Sequence, residues 1–232
     1  MRSRLDQRLD LVLASHRLHA AGWVANHDGN LTVRLGADRF LATPTAVGKA
    51  AMREDWIVVV DAAGRLVEGR QKPFSEIDLH LACYRARPEI RAVCHAHPPV
   101  ATAFGVAGVE LAPLPLPEAV VSLGPAVPLL PLAPPKSAEG VLAVERAAGS
   151  ADALLLTGNG ALTLGLDLDQ ALLRMELVEH LAKILLAARA LGGARALPAE
   201  LVATLLEARR RAGLGPVKAA NNLSPGRVTR GS

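Results

Sequence analysis

The chain of 232 residues is half apolar and 21% charged, enough for one substantial hydrophobic core and too little for several independent domains. Its composition excludes disorder and collagen, and two cysteines cannot build a disulfide framework, so Cys83 and Cys94 are read as buried thiols of a cytosolic protein. The net charge is +4, yet Ala208 to Ser232 holds six basic residues and no acidic one, leaving 20 basic against 22 acidic residues elsewhere, a net of −2. The basic character belongs to the tail, not to the body.

Met1 to Asp10 alternates charge and has no apolar segment, so no secretory signal is expected. Two uncharged stretches invite a membrane reading. Ala92 to Val109 contains two histidines and paired prolines, and Ala119 to Pro135 has five prolines in 17 residues, which would leave helical backbone unsatisfied in lipid. The expectation is a cytoplasmic protein with no membrane partner. Nucleic acid is also disfavoured, because no aromatic residue accompanies the basic tail to stack on bases.

In chain order, Leu5 to Ala21 has apolar residues at helical spacing and stops at Gly22. Leu31–Leu35 with Arg39–Ala42, and Trp56–Val60 with Arg65–Val67, predict two antiparallel hairpins. Ser75 opens a helix through Ala86 that Pro88 stops, Ala92–Ala96 is a buried strand, and Pro99–Ala107 a helix. After the proline-rich stretch, Ser137 caps a helix through Ala148, Ala153–Thr157 is an apolar strand, and Gly158-Asn159-Gly160 turns into Ala161–Leu164. Asp167 or Asp169 caps a long helix ending at Gly192-Gly193. A last helix, Pro198 to Ala212, leads into a Gly/Pro/Asn-rich flexible tail. The sum is a mixed α/β sandwich with a central sheet and outer helices, residues 1–197 forming the domain and 198–232 a C-terminal helix and basic tail.

His95-Ala96-His97 carries the most chemistry. On a strand, residues i and i+2 face the same way about 7 Å apart, near enough for both imidazoles to meet one divalent ion. Two exposed or core-satisfied histidines are the bland alternative. The pair ends a buried strand and precedes Pro98-Pro99, at the kind of strand edge where α/β sites open. Glu76 falls in the first turn of the preceding helix, where the helix dipole favours its ionised form.

These residues sit in a longer pattern: Gly29-Asn30-Leu31-Thr32, Thr43-Pro44-Thr45, Lys72-Pro73-Phe74-Ser75-Glu76, His80-x-x-x-Tyr84, Arg87-Pro88 through His97-Pro98, and Leu154 to Gly165 leading to Glu176. Six such pieces in order resemble the class II aldolase and adducin family, over Leu5 to Gly192. The resemblance implies a three-layer α/β/α fold with a central mixed, largely antiparallel sheet, and a homotetramer with sites at subunit interfaces. It also implies a divalent ion, usually zinc, on three histidines, with an acid/base carboxylate at Glu76. His95 and His97 match the first two ligands. Asn159 stands where the third histidine is expected, and a neutral amide oxygen is a poor zinc ligand. Glu76 could replace it, making a two-histidine, one-carboxylate site for zinc, manganese or iron, but it could then hardly be a free base. His27 could reach inward from the loop before Gly29, and His180 is mid-helix; both are read as structural.

For the substrate, the resemblance implies small hydroxyl residues and turn amides as binding groups, here Asn30, Thr32, Thr45 and Ser75. Phe74 stands where a serine is usual and Ala46 where a glycine is usual. The ring removes a donor, and the Ala46 Cβ hinders a φ > 0 turn, so a non-phosphorylated or carboxylate-bearing substrate is expected. Leu132 and Lys136 likewise replace a tyrosine and a glycine, and Lys136 and Glu118 are each either site residues or loop charges. The expected function is a metal-dependent lyase acting on a small hydroxy-carbonyl, sugar-like substrate by aldol or retro-aldol chemistry through an enediolate, with epimerase, decarboxylase and dehydratase variants open. The alternative is a catalytically degenerate binding or structural protein resembling the adducin head.

Overall fold

A computed structural model describes residues 3–134 and 136–216. Its elements in chain order are α1 (Arg4–Ala20), β1 (Asn30–Arg34), β2 (Arg39–Ala42), β3 (Val58–Asp61), β4 (Leu66–Glu68), α2 (Ile77–Ala86), β5 (Ala92–Ala96), α3 (Pro99–Val106), α4 (Pro117–Leu123), β6 (Leu129–Leu130), α5 (Ala138–Ala148), β7 (Ala153–Leu156), β8 (Ala161–Gly165), α6 (Leu168–Ala190) and α7 (Ala199–Arg211). The strands form one eight-stranded sheet in the order β4-β3-β2-β1-β5-β8-β7-β6. Every pairing is antiparallel except β6 with β7.

The period-2 alternation of the strands divides the core into two faces. Leu31, Leu41, Val59, Cys94 and Leu155 meet α1, α3, α4 and α6 on one face. Phe40, Val58, Val60, Val93, Leu154 and Leu162 meet α2 and α5 on the other. This is the expected three-layer sandwich. His95 shares its parity with Val93 and therefore stands on the α2 side, below the start of that helix.

The caps follow the sequence closely. Ser3 accepts from the Asp6 amide and Asp6 answers to the Ser3 amide at the start of α1, Ser137 caps α5, and Asp167, not Asp169, caps α6. Two expectations are corrected and one unassigned helix is added. The second helix begins at Ile77, not Ser75; Glu76 occupies its N-cap position without capping it, because its carboxylate is engaged elsewhere. The proline-rich stretch contains α4, with Pro117 in the first turn, where a missing N–H costs nothing. Ala46 adopts φ 57° despite its Cβ, as Lys136 does at 62°, a left-handed conformation costing about 1–2 kcal/mol per residue.

Helix α7 is docked rather than loose. Val202, Leu205 and Leu206 pack against the first core, and Arg209 is buried against Asp152. Arg210 and Arg211 pair with Glu207, so part of the basic cluster is neutralised within its own helix. The glycine-rich tail expected beyond it falls mostly on residues 217–232, outside the described ones. Both cysteines are buried and free, and burial pushes each thiol up to about 12, which keeps them protonated and inert. Among the described residues no helix is long and apolar enough to cross a membrane.

Candidate active site

Three backbone contacts bring the site together at the end of β5. Asn30 pairs with His95 across the β1–β5 ladder, the His97 amide donates to the Trp23 carbonyl at 2.8 Å, and the turn after β7 folds back onto β5. Two motif glycines make this approach possible. Gly160, at φ 66°, lies so close to β5 that a Cβ would meet the Ala96 carbonyl oxygen at 2.2 Å and His97 Cδ2 at 2.5 Å. Gly29, at φ 67°, would drive a Cβ into Val24 at 2.4 Å and toward the His95 carbonyl at 3.1 Å. Neither position tolerates a side chain.

His95 is buried and its Nδ1 lies 3.1 Å from the Ala161 carbonyl oxygen. A carbonyl only accepts, so Nδ1 carries the proton and Nε2 presents a lone pair. Burial drives the His95 pKa down to about 4, against the opposing pull of Glu76, so the ring is neutral at pH 7. His97 Nε2 lies 3.2 Å from His95 Nε2, and Glu76 Oε2 lies 3.5 Å from the same atom. On the other side of the His97 ring, Nδ1 is 3.5 Å from Asp28 Oδ2. The segment after His97 is pinned by Glu179 of α6, which accepts from the Val100 and Ala101 amides at 3.1 and 2.9 Å at the start of α3.

Glu76 is half-buried. Burial pushes its carboxyl up, but His95 beside it, the amides of Asn159 and Asn30, and His97 outweigh this and hold it below the ordinary carboxylate value. The Asn159 amide nitrogen donates to Glu76 Oε1 at 2.7 Å. Asn30 Oδ1 is buried with no hydrogen-bond partner among the described residues, an acceptor available to a ligand hydroxyl.

Glu76, His95, His97, Asn30 and Asn159 thus converge. Thr45 and Ser75 are exposed on two neighbouring loops joined by the Thr45 amide donating to the Lys72 carbonyl at 2.9 Å and by the Pro44–Pro73 bridge. Thr32 does not join them. Its hydroxyl is buried between His80 Nδ1 and the Tyr84 hydroxyl, both at 2.9 Å, a core role consistent with its inward parity on β1. Phe74 is also buried, edge-on to the His80 ring at 5.0 Å. His27, His180 and Glu118 are exposed. A cavity of about 230 Å³ beside Glu76 and Asn159 is lined by Ser75, Leu132, Lys136 and Leu156 among others. Asp28 and Glu179 were not singled out from sequence; Glu179 was visible as a carboxylate within the apolar stripe Met175, Val178, Ala182.

Two tetrahedral ligands at zinc–nitrogen distances of 2.0–2.1 Å stand about 3.3 Å apart, close to the 3.2 Å between His95 and His97 Nε2. The pair fits two ligand positions. Among the described residues no group of three or more His, Cys, Asp or Glu side chains is arranged to hold an ion, and Asn159 turns its amide nitrogen, a donor, toward Glu76.

This sheet, the histidine pair at the end of its central strand β5 and the carboxylate at the start of α2 are the marks of an enzyme class, and the comparisons identify it. Residues 9–186 match the model of the class II aldolase and adducin N-terminal domain, and the chain belongs to that family. It is 32% identical over 177 residues to an L-fuculose phosphate aldolase of Methanococcus vannielii, covering 75% of this chain and 93% of the relative. It is 29% identical over 185 residues to a 3-oxo-tetronate 4-phosphate decarboxylase of Haemophilus influenzae, covering 78% and 87%. A solved L-fuculose 1-phosphate aldolase superposes with a TM-score of 0.80 at 28% identity, covering 90% of this chain and 98% of that one. These relatives are enzymes, and the chain stands among them as an aldolase-type lyase of the superfamily, with decarboxylation among the reactions its relatives are named for.

Proposed function

We propose that the protein is a divalent-metal-dependent lyase that cleaves or forms a carbon–carbon bond in a small hydroxy-carbonyl, sugar-like substrate by aldol or retro-aldol chemistry through an enediolate. The observation that carries this reading is the convergence of His95 Nε2, His97 Nε2 and the Glu76 carboxylate, 3.2 and 3.5 Å from the shared His95 atom, beside a cavity. His95 and His97 would hold the cation, with zinc, manganese or iron all suited to imidazole. When bound, it supplies Lewis-acid polarisation of a substrate carbonyl.

Glu76 moves the proton. In retro-aldol cleavage a substrate hydroxyl loses its proton, the carbon–carbon bond breaks into a carbonyl and an enediolate, and the enediolate carbon is then protonated. The Glu76 carboxylate takes the hydroxyl proton and, as the carboxylic acid so formed, gives it to the enediolate carbon. Asn159 holds Glu76 Oε1 and leaves Oε2 toward the histidines, and the unpartnered Asn30 Oδ1 orients a substrate hydroxyl. Zinc as the metal, a homotetramer as the assembly and a cytoplasmic location belong to the same proposal.

The substrate is proposed to be non-phosphorylated or to bear a carboxylate. Thr32 and Phe74 are absorbed into the core around His80, which leaves few hydroxyl donors for a phosphate, while Lys136 on the cavity wall offers a cation. Turnover of a ketose phosphate with none of the free sugar or acid overturns this part.

A second reading, a degenerate binding protein that resembles the adducin head, draws on the Asn159 amide turned away as a donor. Elemental analysis of purified wild type, His95→Ala and Asn159→His separates the two. Stoichiometric metal in wild type that is lost in His95→Ala supports the enzyme; metal only in Asn159→His supports the degenerate site.

A further inference from the structure

The Asp28 carboxylate is fixed in place before it meets the histidine pair. Its Oδ1 accepts from the Ala25 amide at 2.5 Å while its own amide donates to the Ala25 carbonyl at 3.0 Å, so the residue closes a tight turn. Behind it lies Lys49, only 2% exposed, whose ammonium reaches the His27 and Val47 carbonyls at 3.4 and 3.3 Å and feels the charge of Asp28. The other oxygen, Oδ2, faces His97 Nδ1 at 3.5 Å.

Each imidazole of the pair therefore has an oxygen on its Nδ1 side: the Ala161 carbonyl for His95 and the Asp28 carboxylate for His97. Both rings present Nε2 to the same point. A carboxylate behind a ligating histidine fixes the tautomer and ring orientation and raises the basicity of the far nitrogen.

We propose that Asp28 is a positioning residue for His97, holding its proton on Nδ1 and its Nε2 lone pair beside that of His95, so that both imidazoles face one divalent cation. This role rests on the proposed metal binding by His95 and His97.

The test is competition of Zn2+ alone between a chromophoric chelator and wild type, Asp28→Ala, Asp28→Asn and His27→Ala. The last removes an exposed neighbour outside the site. Nitrogen-15 spectra of the Zn2+-loaded proteins, labelled in histidine, read the His97 Nδ1 proton directly. Asp28→Ala weakens Zn2+ binding 10- to 100-fold and shifts the His97 Nδ1 signal. Asp28→Asn, whose amide oxygen accepts more weakly, falls between, and His27→Ala matches wild type. Equal affinity and an unchanged His97 signal in both Asp28 variants overturn the role while leaving the metal reading intact. If Asp28 served only to hold its turn, Asp28→Asn would match wild type in both readouts, which likewise overturns it. Wild type that takes no Zn2+ overturns the metal reading and this role with it.

Discussion

The two ends of β7 handle buried charge in opposite ways. Just before the strand, Asp152 is fully buried and meets three arginines: Arg87 at 3.0 Å, Arg174 at 2.7 Å, and Arg209. What remains of those guanidiniums is bonded to the carbonyls of Ala148, Leu164, Val121 and Ser122 and to Glu89. The cluster ties α2, α4, α6 and α7 to the sheet and leaves nothing for a ligand. Just after the strand, Asn159, Glu76 and the histidine pair leave a carboxylate oxygen, a converging pair of imidazole nitrogens and an orphaned Asn30 oxygen beside a cavity. A closed polar network fixes a fold, whereas an open one has binding capacity left over.

The first variant should remove function and spare the fold. Glu76→Gln keeps an acceptor for Asn159 but cannot carry the proton, so kcat falls 10²- to 10⁴-fold with the melting temperature and metal content unchanged. Loss of metal along with activity would make Glu76 a ligand instead of the base. At the other end of β7 the effect reverses. Asp152→Ala strands three buried guanidiniums and destabilises the protein by about 3–5 kcal/mol, measured by denaturant unfolding; a change below about 1 kcal/mol would mean that the cluster is not a unit. Arg209→Met leaves Asp152 two partners and releases α7 from α4, a smaller loss of roughly 1–3 kcal/mol that limited proteolysis should localise to residues 199–211.

Most of this architecture was legible in the chain, because it is written in local periodicities. The caps at Ser137 and Asp167 and the alternating strands needed no tertiary information. The convergence of His95, His97 and Glu76 was foreseeable from the pair's spacing at a strand end and from the longer pattern around it. Thr32 shows the limit. Its residue type suits substrate binding, but the direction it faces depends on the sheet, and beneath α2 it satisfies His80 and Tyr84 instead. Helix α4 was hidden by prolines that favour a helix start as readily as they break one. Arg209 reads as one of six tail charges until α7 docks and gives it Asp152. Asp28 carried no signal of its own, because its contact with His97 depends on the turn that Gly29 permits.

Lys49 lies between the two extremes of saturation and openness, and its titration provides the finest test of the comparison. Its ammonium is buried with only long carbonyl contacts, and that burial lowers its pKa from 10.5 to about 8, against the pull of Asp28. Between pH 8 and 10.5 the unfolded chain therefore binds more protons at this residue than the folded one, so this contribution to stability rises with pH across that window and is flat below it. Its size is roughly 1–3 kcal/mol. Denaturant midpoints of wild type should climb from pH 8 to 10 relative to Lys49→Met, whose profile lacks the rise and starts from a higher value at pH 7. Parallel profiles for the two proteins would mean that Lys49 is compensated as fully as the arginines around Asp152, and that the region behind His97 is closed rather than poised.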